Sequence, residues 1–248
     1  MFADDDHESF QNRPADQESV WRYMDLARFL SLLQTSALHL ARADQMSDRW
    51  EGSYGELNRQ LRPELYGEHF EQMFAHADQR RQFSLQGIRL NCWHLSEFES
   101  AAMWDIYQGR GVAIRSTWGR LKRSIKPERW INGAEVNYVD YRSSFISERN
   151  MFDAFMHKRE SFSHEREVKL AMMTELSAPH PTEENTTISL GPEPPVIPVE
   201  VDLVGLVERV YVAPDAPEWI MSVVDNVTRR YGFEFPVQQS DLATDPIA

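Results

Sequence analysis

The sequence predicts an α+β fold, a single domain with a mixed central sheet and flanking helices. Short apolar runs of period two are interleaved with stretches whose apolar residues recur at helical spacing, and the two periods switch several times along the chain. A chain of 248 residues, 42% hydrophobic and 11% aromatic, is long and apolar enough to bury a substantial core. Its middle contains no linker-like stretch long enough to divide it.

Residues 1–18 are acidic and polar and predict a disordered N-terminus ahead of a domain spanning 19–242, with 243–248 as a tail. Ser19 to Tyr23 reads as a strand. Asp25 then caps a helix carrying Leu26, Phe29, Leu30 and Leu33 on one face. Leu38 to Arg42 is extended, Asp44 to Gly52 is a polar loop around Trp50, and Tyr54 to Phe83 is mostly helical with a charged outer face.

The second block opens with a strand at Ile88 to Trp93. Ser96 with Glu99 forms a capping-box pattern that starts a helix through Tyr107, ended by Gly109. Gly111 to Arg115 has the run of a buried strand, a short basic helix surrounds Leu121, and Ala134 to Tyr141 alternates as another strand. Met151, Phe152, Phe155 and Phe162 share a helical stripe. From Glu165 to Met172 the period becomes two, which turns Val168, Leu170 and Met172 to the core and groups Glu165, Glu167 and Lys169 on the other face. An exposed loop rich in Pro, Thr and Glu spans 174–195. Strands at Val196 to Val201 and Arg209 to Val212 and a helix at Pro217 to Tyr231 complete the domain.

The net charge of -13, from 39 Asp and Glu against 26 Lys and Arg, works against bulk attraction to nucleic acid or to an anionic membrane, while leaving room for a local basic groove. Cys92 is the single cysteine, so an internal disulfide is excluded and a reducing, cytoplasmic setting is expected. No signal-like start and no membrane-length apolar run is read from the sequence.

Chemistry concentrates in three segments. Lys158 to Lys169 is the most charge-dense; on a strand, Glu165 and Glu167 would project to one face about 7 Å apart, with Lys158, Arg159 and Lys169 near enough to tune their ionisation. The plainer reading is an edge strand with weak surface pairs. Cys92 to Trp104 places Trp93, His94 and Glu97 at a strand-to-helix junction, where ligands bind; capping and packing explain its other members. In Trp21-Arg22-Tyr23, a guanidinium inside an apolar strand needs an anion, either a ligand phosphate or a carboxylate such as Asp44 or Glu51; Asp48 and Glu51 also suit a helix cap. Phosphate-loop, nucleophile-elbow, paired-cysteine and His-Glu-x-x-His signatures are absent. His157 and His164 flank Glu160 at two-turn spacing, but the expected break in the helix separates them and no metal is expected.

Together these segments resemble a bacterial family, domain of unknown function 2971. The matching residues are Trp21 to Tyr23, Asp48 to Gly52, Cys92 to Trp104, Gly111 to Ile114 and Lys158 to Val168, across roughly Val20 to Ser240. The order of Arg22, Ser116-Thr117 and Glu165-x-Glu167 is also similar to the Arg-Ser-Glu class of ADP-ribosyltransferases, with Trp118 where a third serine would stand. That resemblance implies an NAD-consuming transferase or glycohydrolase in which Arg22 holds the pyrophosphate and Ser116 supports the site. Glu167 would grip the ribose and Glu165 would orient the acceptor. Tyr23 or Trp93 would stack on nicotinamide, and His94, Lys158 and Arg159 would complete the nucleotide site. A protein or nucleic-acid acceptor and an effector or defence setting follow by analogy alone. Two other readings are open: a metal-dependent nuclease or phosphodiesterase using His94, His164 and the Glu pair, and a non-enzymatic ligand-sensing or interaction module.

Overall fold

The computed structural model describes residues 2–3, 7–75, 77–107, 111–126, 130–174 and 194–244, apart from the side chains at 72 and 73. Its strands are β1 (Ser19–Met24), β2 (Ala37–Arg42), β3 (Ile88–Leu95), β4 (Val112–Thr117), β5 (Asn132–Glu135), β6 (Asn137–Val139), β7 (His157–Arg159), β8 (Glu167–Met173), β9 (Val196–Glu200), β10 (Arg209–Val212) and β11 (Val237–Gln239). The helices are α1 (Leu26–Thr35), α2 (Glu56–Tyr66), α3 (Phe70–Phe74), α4 (Ala77–Gly87), α5 (Ala101–Ile106), α6 (Trp118–Ser124), α7 (Leu203–Leu206) and α8 (Glu218–Arg230).

Among the described residues nine strands form one sheet, running β11-β10-β4-β1-β3-β2-β9, with β8 on the free edge of β3 and β5 outside β8. The β10–β11 pair is parallel and the other pairs of this sheet are antiparallel, so the fold is the expected α+β domain with a mixed sheet and flanking helices. A parallel ribbon of β6 and β7 lies apart from it.

The sheet buries both faces unequally. Val20, Met24, Trp93, Leu95, Ile114, Val168, Leu170 and Met172 alternate onto one face and pack with Phe29 and Leu33 of α1, Leu121 of α6 and Val224 of α8 as the main core. On the opposite face stand two smaller clusters, one around Trp21, Tyr23, Trp104 and Tyr211, the other around Phe10, Leu85, Ile88 and Phe155. Glu167 and Lys169 are buried on this second face.

One edge of β3 is forked. Seven consecutive residues, Ile88 to His94, pair with β8, but the other edge pairs with β1 only at His94 and Leu95 and with β2 only at Arg89 and Leu90. Side chains bridge the gap: Arg22 of β1 donates to the Cys92 carbonyl, Asn91 Nδ2 donates to the His39 carbonyl at 2.9 Å, and Trp93 Nε1 donates to Asn91 Oδ1 at 2.8 Å. Backbone groups that lose a strand neighbour must find another partner, and these residues supply it.

Several expectations are corrected. Described residues 7–18, expected to be disordered, carry a 3-10 turn, Glu8–Phe10, whose Phe10 is buried against Leu85 and Phe155. The helix expected from Ser96 starts at Ala101, capped by Ser100, because Ser96 Oγ instead accepts from the Phe98 amide. The Ala134 to Tyr141 strand breaks at Val136, whose N–H donates to Glu167, sending β5 to the main sheet and β6 to the ribbon. The stripe from Met151 to Phe162 is not a helix but 3-10 segments, Asp153–Phe155 and Glu160–Glu165, on either side of β7. Tyr54 to Phe83 resolves into α2, α3 and most of α4. Gly109, the bulk of the 174–195 loop and the end of the 243–248 tail lie outside the described residues.

Gly52 has a left-handed φ of 64°, and a methyl built on it would overlap the fully buried Phe155 ring. Gly52→Ala is therefore expected to destabilise the chain by about 2 kcal/mol or more, read from urea unfolding; an unchanged midpoint would show that Phe155 yields.

Candidate functional site

Strand register builds the site. His94 of β3 pairs with Trp21 of β1 on one side and with Glu167 of β8 on the other, so these three side chains form a row across the second face of the sheet. Two pairs further along, on the same face, Cys92 stands opposite Lys169. Glu165 is not on the strand: it ends the 3-10 segment, and Arg166, with φ 38°, turns the chain into β8. The two carboxylates meet all the same, because Lys158 of β7 contacts both, Glu165 closely and Glu167 at 3.2 Å.

These groups belong to a larger buried network. Lys169 Nζ donates to Glu51 at 2.7 Å and to the Phe155 carbonyl at 3.0 Å, and lies 3.8 Å from Glu167. Arg159 pairs with Asp48 at 2.6 Å, and the Tyr138 hydroxyl accepts the Glu167 amide at 2.8 Å. Lys158, Glu167, Glu51 and Asp48 are each less than a tenth exposed and Lys169 is fully buried, which makes this far more than a set of surface pairs. Among the described residues two ammonium groups thus face three carboxylates, while Arg159 and Asp48 cancel, leaving one formal negative charge uncompensated within these pairs.

Burial and pairing separate the ionisations. Burial opposes the charge of Glu167, but Lys169 and Lys158 overcome it and hold its carboxyl below the ordinary value of 4.5. Burial also opposes the charges of Lys158 and Lys169, and Glu167 overcomes it there, so both stay protonated. At Glu51 burial prevails over Lys169 and pushes the carboxyl up from its ordinary value of 4.5. Burial and the Glu167 charge together raise the Cys92 thiol well above its ordinary range, so it is not a thiolate nucleophile.

His94 is depressed by burial and so is neutral at pH 7. Its Nδ1 lies 2.6 Å from the Glu165 carbonyl oxygen, which can only accept, so the proton sits on Nδ1 and Nε2 carries a lone pair.

A cavity of about 190 Å³ opens over this row. Cys92, His94, Glu165, Glu167 and Lys158 form its polar side, Asp48 and Glu51 border it from the 44–52 loop, and Trp21, Tyr23, Met103 and Tyr107 wall much of the rest. Tyr23 and Tyr107 lie nearly parallel, 6.4 Å apart, and Tyr23 stands edge-on to His94 at 6.2 Å. Pockets for drug-sized ligands begin at about 300 Å³; this one has a volume suited to a single ring or a pentose.

Of the residues expected at the site, Glu165, Glu167, Tyr23, His94 and Lys158 come together, with Arg159 behind Asp48. Arg22 and Ser116 do not. Arg22 pairs with Ile114 and Val20 with Ser116, which puts both on the main-core face, across the sheet from Glu167. Arg22 finds neither Asp44, which pairs with Arg42 at 2.8 Å, nor Glu51; it donates to the Cys92 carbonyl and lies over the Trp93 ring. Ser116 is fully buried and donates to the Leu206 carbonyl at 2.6 Å, while Thr117 caps α6. Trp93 borders the cavity, but its indole packs in the main core. His164 and Glu97 are exposed. A one-residue alternation along β1 and β4, invisible to a motif, decides all of this.

Asp48 and Glu51, which the sequence presents as cap or salt-bridge residues, belong to the site as well, with Trp21, Tyr107 and Tyr138. The one signal for the acidic pair was two carboxylates in a loop; the lysine that holds Glu51 lies 118 residues away in the chain. Among the described residues no three of His, Cys, Asp and Glu form a metal-ligand group, and no helix is long and apolar enough to cross a membrane. No family model, curated protein or solved structure matches the chain.

Proposed function

We propose that the chain cleaves or transfers at a glycosidic bond, drawing its catalytic power from an ionised, buried Glu167. The particular substrate proposed is NAD, whose nicotinamide ring is cationic and whose ribosyl group develops positive charge as the bond breaks. The observation that carries the reading is the uncompensated negative charge at the base of an aromatic-walled cavity. Such a site favours a cation, through the carboxylate and through the faces of Trp21, Tyr23 and Tyr107.

In this mechanism the C–N bond breaks with its electron pair leaving on neutral nicotinamide, and Glu167 stabilises the ribosyl cation. Water or an acceptor hydroxyl attacks the anomeric carbon and gives its proton to His94 Nε2. Glu165, held by Lys158 at the cavity edge, orients that acceptor. Arg22 and Ser116 have no part, and the pyrophosphate extends out of the cavity.

The direct test is incubation of purified protein with NAD, with and without cell extract, and chromatographic measurement of nicotinamide. Release in either case supports the proposal; none in both rejects NAD as substrate. Saturable NAD binding without release would favour the ligand-sensing reading, which the same charge imbalance supports.

The pH dependence follows from His94. The base must be neutral, and burial lowers its pKa from 6.5, so the rate is expected to stay level from neutral pH down past 6.5 and then fall as His94 protonates. A rate already halved above pH 6.5 would exclude His94 as the base.

A further inference from the structure

We propose that a second ligand site lies in the groove behind the 48–54 loop, and that it takes a nucleoside phosphate, an aromatic base carrying an anionic tail. The groove encloses about 820 Å³ between this loop, α2 to α4 and residues 148–155. That is within the range of about 300–1,000 Å³ typical of small-molecule sites.

Its charge runs against that of the chain. Five arginines line it, Arg49, Arg62, Arg80, Arg81 and Arg149, against Glu148 and Asp78, a local balance of +3 in a protein of net charge -13. Arg62 is engaged, at 3.0 Å from Glu148 and over the rings of Tyr54 and Phe74. Arg81 donates to the Ser53 hydroxyl and to the Arg49 and Glu51 carbonyls, so its donors meet neutral oxygens, and among the described residues no carboxylate pairs with it. Arg49 is exposed, and its guanidinium meets no described hydrogen-bond or ion-pair partner. The Arg149 side chain is 80% exposed, with the Glu8 carboxylate at 3.9 Å.

Beside these cations stand rings: Trp50, 41% exposed at the groove wall, and Tyr66 and Phe74, 5.2 Å apart. Guanidinium groups recognise phosphate oxygens in pairs, and ring faces stack on a base; together they match a nucleotide. The bounded volume favours a small ligand over a continuous strand. This inference does not rest on the glycosidic reading: Asp48 and Glu51 border the catalytic cavity, whereas Arg49, Trp50 and Gly52 line the groove.

The test is calorimetric titration of the full chain with ADP, adenosine, pyrophosphate and single-stranded decathymidylate. ADP is expected to bind, each half-ligand at least about tenfold more weakly, and added salt to weaken the ADP complex. Arg49→Glu and Trp50→Ala should each weaken ADP about tenfold or more, while Arg28→Glu on α1 leaves it unchanged. Undiminished ADP binding in both Arg49→Glu and Trp50→Ala would place the nucleotide in the other cavity and overturn the proposal. So would absence of ADP binding at millimolar concentration, or equal effects of Arg49→Glu and Arg28→Glu. Binding of the oligonucleotide with ADP silent would overturn the small-ligand assignment in favour of a nucleic-acid strand.

Discussion

Glu167→Gln is expected to lower nicotinamide release from NAD by about 10²- to 10³-fold, the usual cost of removing one aligned electrostatic contact to a transition state. The carboxamide has the size of the carboxylate and keeps its place between His94 and Lys169 in the sheet. Lys158 retains Glu165 and Lys169 retains Glu51, so both ammonium groups keep a partner. What disappears is the negative charge that a ribosyl cation would meet, and the network becomes formally neutral. The loss should fall on kcat rather than KM, because the charge is called on when the bond breaks. Single-turnover release beside a circular dichroism spectrum separates chemistry from folding. A folded variant within about threefold of wild type would remove Glu167 from the mechanism.

Lys169→Met should be the most destabilising change at the site, costing about 3–5 kcal/mol. The ammonium is fully buried, and without it the buried Glu51 and Glu167 are left with one remaining cation, Lys158. The penalty must depend on pH. Two carboxyls that lose their ammonium have folded pKa values above their unfolded ones, so they destabilise the fold at neutral pH and less as acid protonates them. Wild-type Glu167 has the opposite sign: its depressed pKa contributes stability above 4.5 that is lost as pH falls below that value. Urea unfolding at neutral and mildly acidic pH should therefore show the gap between the two proteins narrowing in acid. Adding Glu51→Gln to Lys169→Met should recover part of the loss, with a coupling of about 0.5–3 kcal/mol. A pH-independent loss under about 1 kcal/mol would mean that water reaches the network freely.

The strands were legible in the sequence because their alternation is a local property. Ser19 to Tyr23, Ile88 to Trp93 and the inward set of Val168, Leu170 and Met172 needed no knowledge of neighbours. Two helix starts show the limit: Asp25 caps α1 as its position suggests, but Ser96 and Ser100 both satisfy cap chemistry, and the choice depends on where Tyr23 accepts the Ser100 amide. The site was half legible for the same reason. Charge density singled out Lys158 to Lys169, and the junction singled out His94. Which face each residue joins was not, since facing depends on the pairing of strands far apart in sequence. Arg22, Ser116 and Glu167 follow one another in an order that suggests a shared site, and register sends two of them to the opposite side of the sheet.

The fork in β3 gives Arg22 a different importance. A strand held along its whole length can slip by two residues and keep its inward and outward sets, but β1 meets β3 over only two residues before the guanidinium must find the Cys92 carbonyl. A slip in either direction would carry that long side chain away from its carbonyl and leave the β1 arm of the fork unbridged. Arg22 thus works as a key cut for one alignment, securing the row of Trp21, His94 and Glu167 from the far side of the sheet without touching it.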